Sequence, residues 1–268
     1  LSGVGFHAAA AMISGTTAQM EYSLDSTNGT DGTWTAASEG TTFLPQVSEA
    51  VVYIRDSKNT NNFRRLGKLP TVSGMPAVED SSVHSWYWDD SENEMKMNFG
   101  GSTFLHLLGN NSYGLFGEKI PSTQRQKDAK ISFLKFDLSG QDLSDLKKAE
   151  LSLTYMGYIG NKKRDTDTIL IASTKGTEWT EGTGDDSTTK DPAINGEITW
   201  ENMPALDYQD DGSDVIESEP IRVGDKGISR SDISSYVDGT KLRIDITPLV
   251  RKMVEAGGTT LSLAINET

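Results

Sequence analysis

Apolar residues alternate with polar ones in short runs along most of the chain. Met20, Tyr22 and Leu24 recur every second position between polar neighbours, which predicts a half-buried strand. Asn28-Gly29 and Asp31-Gly32 follow as turn signals, and Trp34 opens a return strand. Ala50 to Arg55 reads as a further strand beyond Pro45, and the stretch ending in LGKLP as a last strand and linker. Trp34 is expected in the core of this first part. Residues 1–76 therefore read as a small β-sandwich-like module with a truncated start.

Residues 77–268 carry longer strands. Lys130 to Leu138 alternates on both faces, as a central sandwich strand does. Leu151, Leu153 and Tyr155 share one face of a strand, and DTILIAS and TLSLAI repeat the pattern. Leu242, Ile244 and Ile246 are expected inward, with Arg243, Asp245 and Thr247 outward. One helix is expected next, with Thr247 as N-cap, Pro248 at its first position and Gly257 as its stop. Its apolar face would be Leu249, Val250, Met253 and Val254. The expected fold class is all-β, a jelly-roll-like sandwich preceded by the smaller module.

Composition adds context. The 268 residues are enough for roughly two domains at about 100–200 residues each. There is no cysteine, which excludes disulfides, thiolate metal sites and cysteine nucleophiles. Abundant Thr, Ser, Asn and Asp, with 26 Gly, fit short strands joined by many turns. A formal charge of −14 disfavours nucleic acid and anionic membranes as partners. No apolar run reaches about 18 residues, so no membrane insertion is expected. Leu1 to Ala11 has no basic signal-peptide start and no initiator Met, so the chain reads as a piece of a longer polypeptide.

The strings VEDSSV, NFGGSTFLHLLG, SFLKFDLSG, AELSLTY, EWTEG, ITWENMP, IDITPLV and LSLAIN occur in this order. Together they resemble the DNRLRE-type domain over residues 77–268. That family is a bacterial and archaeal extracellular β-sandwich also classed among carbohydrate-binding modules. The resemblance implies a jelly-roll-like sandwich on secreted enzymes and surface proteins, some members resembling alginate-binding modules. Family members continue past LSLAIN to a final Pro-Leu strand, so that strand is expected to be absent here. Residues 10–68 resemble small repeat modules of bacterial surface proteins and secreted polysaccharide-degrading enzymes, which implies a spacer or a minor contact module.

No enzyme motif appears. His7, His84 and His106 form no His-x-x-x-His pair, and there is no Gly-x-Ser-x-Gly elbow or phosphate-cradling loop. Charge layout says more. Residues 118–175 hold 11 basic and 8 acidic groups, whereas residues 176–220 hold 1 and 13. Arg125 and Lys127 precede the Lys130 strand, and Lys162, Lys163 and Arg164 follow Tyr158. A basic cluster beside tyrosine suits a uronate, because Arg pairs a carboxylate bidentately while the ring packs on the pyranose. The alternative is a solvated hairpin tip.

Trp86, Tyr87 and Trp88 form the densest aromatic run, and alternation sends Trp86 and Trp88 to one face. Exposed, the pair is a sugar-stacking platform; buried, it is core. Trp179 and Trp200 are expected to pack under loops. Glu79, Asp80 and Asp89 are the candidate ligands of a structural calcium, by analogy with other jelly-roll modules. The function expected is a non-catalytic module that tethers a secreted or cell-surface protein to polysaccharide. Its partners would be the polysaccharide and other modules of the parent chain. The alternative is a structural stalk or surface-layer spacer.

Overall fold

A computed structural model of the chain describes residues 1–8, 11–45, 47–69, 74–87, 93–102, 104–110, 112–121, 127–155, 166–184, 196–222 and 240–267. The fold is all-β, with antiparallel sheets and, among the described residues, one α-helix. Among the described residues no helix is long and apolar enough to cross a membrane. The chain divides into two compact units. The first is Leu1–Gly74 with Ser152–Arg164 and Gly224–Arg243; the second is Met75–Leu151, Asp165–Val223 and Ile244–Thr268.

The first unit is a sandwich of two sheets. One contains β1 (Gly5–His7), β2 (Met12–Thr16) and β5 (Gly40–Phe43), in the order β1-β2-β5. The other contains β3 (Met20–Ser23), β4 (Thr35–Ala36), β6 (Val51–Asp56) and β7 (Phe63–Lys68), in the order β4-β3-β6-β7. Ile13 from the first sheet meets Tyr22, Val52 and Ile54 from the second in one apolar cluster. Met20 and Leu24 pack against it, so the alternation read along this strand holds.

Trp34 departs from expectation, because it is outside this core. Thr35 pairs with Tyr22, which faces the core, and alternation then turns the flanking Trp34 and Ala36 outward. The Trp34 indole N–H donates to the Asp31 carbonyl at 2.8 Å, and the Arg55 guanidinium lies 3.9 Å from the ring centroid.

The second unit is built on one large sheet. Its strands are β8 (Glu79–His84), β9 (Lys130–Asp137), β12 (Ile169–Thr174), β13 (Leu206–Asp207), β14 (Ile216–Glu217) and β17 (Thr260–Glu267). They run in the order β13-β12-β17-β9-β8, with β14 also paired to β12. Outside this sheet, β11 (Thr166–Asp167) and β15 (Ile221–Arg222) pair in the second unit, and β10 (Glu150–Tyr155) pairs with β16 (Thr240–Asp245), most of whose residues group with the first.

One face of the large sheet presents Val83, Ile131, Phe133, Leu170, Ala172 and Ala264 to a core completed by Met95, Phe116, Trp179, Ile198 and Trp200. These last residues lie outside the sheet, so aromatic-bearing segments cover this face, as expected for Trp179 and Trp200. Trp179 is also fixed by direction: its indole N–H donates to the Ser262 hydroxyl at 3.0 Å, and its ring meets Phe133 edge-on.

The helix α1 (Thr247–Glu255) packs on β17. It ends as expected. Gly257 has φ +73°, its N–H reaches the Val254 carbonyl, and the Gly258 N–H reaches that of Met253, the paired bonds of a Schellman stop. Its start differs. Ile246 occupies the cap position without a side-chain bond, and Thr247 is buried in the first turn. The Thr247 hydroxyl accepts from the Ala149 N–H at 2.9 Å and donates to Asp245 at 2.5 Å. Strand alternation stops applying to Thr247 where the chain turns into the helix. Val254 is 37% exposed rather than part of the apolar face.

A single buried side chain joins three distant segments. Asn98 Nδ2 donates to the carbonyls of Glu181 at 2.6 Å and Ile198 at 2.9 Å. Its Oδ1 accepts from the N–H of Gly100 at 3.1 Å and Gly184 at 3.0 Å. The backbones cross so closely that a Cβ on Gly100 would stand 2.0 Å from the Glu181 carbonyl oxygen. A Cβ on Gly184 would stand 2.0 Å from that of Asn98, so only glycine fits at either crossing. The strings NFGG, EWTEG and ITW are thus parts of one hydrogen-bonded knot.

Candidate functional site

The located sequence candidates lie at the two ends of the β8–β9 pair, Glu79 and Asp80 at one and Trp86 and Lys127 at the other. Register runs from Glu79 opposite Lys135 to His84 opposite Lys130. The ladder continues through Ser85, whose N–H donates to the Ala129 carbonyl at 3.0 Å, while its hydroxyl accepts from the Ala129 N–H at 2.7 Å. The same hydroxyl lies 3.2 Å from the Lys127 carbonyl. Trp86 and Lys127 therefore stand at the same end of the edge strand and its neighbour, both half-buried.

Tyr87 packs against the core, whereas Trp86 takes no part in that cluster. This is the alternation expected of the aromatic run. The backbone of Trp86 is held by the Glu94 N–H, which donates to its carbonyl at 2.9 Å. A half-buried indole at a sheet edge can stack its open face on a sugar ring. Trp88, Arg125, Tyr158, Lys162, Lys163 and Arg164 lie outside the described residues, as does Asp89.

The described carboxylates do not converge on a shared cation. Glu79 and Asp80 are adjacent on β8 and so point to opposite faces of the sheet. Glu79 is paired with Lys135 at 2.5 Å, and the same ammonium donates to the Trp179 carbonyl and sits 4.6 Å from its ring. The Asp80 N–H donates to Glu181 at 3.1 Å. Burial raises the Asp80 carboxyl above its usual range. Burial and the neighbouring Asp80 and Glu79 charges also raise Glu181, against the Asp80 N–H bond that lowers it. Among the described residues no group of three or more His, Asp or Glu stands poised to hold a metal. Glu79 and Asp80 thus do not fit a common calcium, and no role is derived for one.

A histidine cluster beside this end has no counterpart in the sequence reading. His84 Nδ1–H donates to Glu94 at 2.9 Å, and its ring stacks on Phe99 at 3.7 Å between centroids. The His106 ring is 5.4 Å away, and the His106 N–H donates to Ser82 of β8 at 2.8 Å. His84 Nε2 is buried without a hydrogen-bond partner among the described residues. The cluster holds the 3-10 turn Glu94–Lys96 and the Phe99–His106 stretch against β8, two residues before Trp86. Histidines 22 positions apart carry no spacing signal; only the fold brings them together.

Burial lowers the His84 pKa to about 3, with Lys130 and His106 adding repulsion and Glu94 partly opposing. The unfolded chain binds this proton near pH 6.5, so it holds more protons than the folded chain between pH 6.5 and 3. The contribution of a neutral His84 is complete above pH 6.5 and is lost as pH falls, at up to about 1.4 kcal/mol per unit. Asp80 and Glu181, raised by burial, act with the opposite sign, so a variant comparison isolates His84. Between pH 7.5 and 5.5 the wild type loses about 1 kcal/mol more stability than His84→Gln in urea unfolding. Equal losses would show that this histidine does not couple to folding.

No protein-family model matches the chain, and no curated protein matches it.

Proposed function

We propose that the chain is a non-catalytic carbohydrate-binding module of a larger secreted or cell-surface bacterial protein, and that residues 77–268 form its DNRLRE-type, jelly-roll-like sandwich. The observation that carries this reading is Trp86, a half-buried indole at the end of an edge strand. The resemblance draws support from Asn98, since three of the strings behind it meet in one knot. Cysteine-free, turn-rich composition fits the extracellular location.

In this reading the chain tethers a larger protein to its polysaccharide, with uronate-containing chains favoured by the basic residues of 118–175. The arrangement as two compact β-units also fits a stalk, which would have no glycan affinity. Affinity electrophoresis separates the two. The intact chain should be retarded in gels cast with alginate, polygalacturonate or a neutral β-glucan, in at least one of the three. Unretarded migration of folded protein in all three favours the stalk.

A further inference from the structure

The outer face of the first unit's β4-β3-β6-β7 sheet gathers aromatic and basic side chains that the expected spacer role does not require. Ala36, Glu21, Arg55 and Phe63 pair in succession across the four strands. One step along the sheet, Tyr53 pairs with Ser23 on one side and Arg65 on the other. Glu21 and Tyr53 alternate with the core residues Tyr22, Val52 and Ile54, so these two rows face away from the core, on the same side as Trp34.

The rings on this face are held in place. Phe63 is 39% exposed, yet its ring lies where a Cβ on Gly29 would stand, 2.0 Å from it. Tyr53 donates its hydroxyl to the Thr27 carbonyl at 3.2 Å and sits 6.4 Å from Phe63. Trp34 is fixed by Asp31 and capped by Arg55. Tyr53 and Ser23 are buried on this face, so its open part lies around Phe63 and Arg65 on β7.

Charge singles out the same place. All five basic residues of residues 1–74 fall within residues 51–68, against one acidic residue there, in a chain of net charge −14. Arg55 is engaged by Glu21 at 2.9 Å, and Arg64 by the carbonyls of Leu1 and Val4. Arg65 is exposed, with no ion pair or hydrogen bond among the described residues.

We infer that this face binds an acidic polysaccharide built of uronate sugars. Stacking on Phe63 calls for a ligand with a flat C–H surface, and pairing with Arg65 calls for a carboxylate. A uronate carries both in one unit, whereas an acidic peptide offers its carboxylates on flexible stems without the flat face. The rest of the chain repels a polyanion, but that repulsion is screened beyond about 8–10 Å at physiological salt.

The inference rests on the polysaccharide-binding reading, and the test separates the two. Polygalacturonate and neutral β-glucan oligosaccharides are titrated into the intact chain and into its Phe63→Ser, Arg65→Glu and Trp86→Ala variants. Phe63→Ser and Arg65→Glu should each weaken polygalacturonate binding by about tenfold, as loss of an anchoring contact does. Arg65→Glu replaces an exposed residue and should leave the fold intact. Wild-type affinity in both variants, with loss only in Trp86→Ala, overturns this inference alone. Equal weakening toward the neutral glucan overturns the acidic class. No glycan binding by the wild type overturns both readings.

Discussion

Asn98→Ala should unfold the second unit at markedly lower denaturant than the wild type, with a loss of about 4 kcal/mol. The side chain satisfies two carbonyls and two N–H groups of the segments at Gly100, Glu181, Gly184 and Ile198. Alanine leaves all four without that partner. Each orphaned buried group costs about 1–3 kcal/mol, and partial relaxation recovers some of it. Asn98→Asp should be nearly as damaging, because a carboxylate would face the carbonyls of Glu181 and Ile198 with no proton to offer. The measurement is urea unfolding followed through the buried Trp179 and Trp200. A loss below about 1 kcal/mol in the alanine variant would mean that the knot is dispensable.

Trp86→Ala should abolish most glycan affinity at a modest cost in stability. Tyr87 packs against the core cluster, whereas Trp86 is outside it, so truncation should cost less stability than truncation of the core Trp179. Removing a central aromatic anchor costs about 2 kcal/mol or more of binding, roughly thirtyfold in affinity. Calorimetric titration reads the affinity and urea unfolding the stability. Affinity kept within about twofold would remove Trp86 from the site.

Much of the framework is legible in the sequence because strand alternation is local. Phe133 and Leu134 report opposite faces of β9 by parity alone, and the same holds for β6 and β17. Trp34 shows the limit of that signal. Its strand alternates, but which phase faces inward is set by the pairing of Thr35 with Tyr22, a long-range fact. The helix start fails for a related reason, since the Thr247 hydroxyl is captured by Ala149, a residue 98 positions earlier.

The site is legible only in part. Alternation sends Trp86 and Tyr87 to opposite faces, but only the β8–β9 pairing brings residue 127 to the same end of the sheet. The Asn98 knot and the His84–His106 cluster have no periodicity or short spacing to reveal them. Glu79 and Asp80 look like joint ligands in sequence precisely where a strand sends neighbours to opposite faces.

The most direct measurement is calorimetric titration of the intact chain with alginate, polygalacturonate and neutral β-glucan oligosaccharides, each with calcium and again with EDTA. Saturable heat with one class, lost in Trp86→Ala, is the expected result. Absence of heat with every glycan, from protein whose unfolding transition shows it to be folded, would contradict polysaccharide binding.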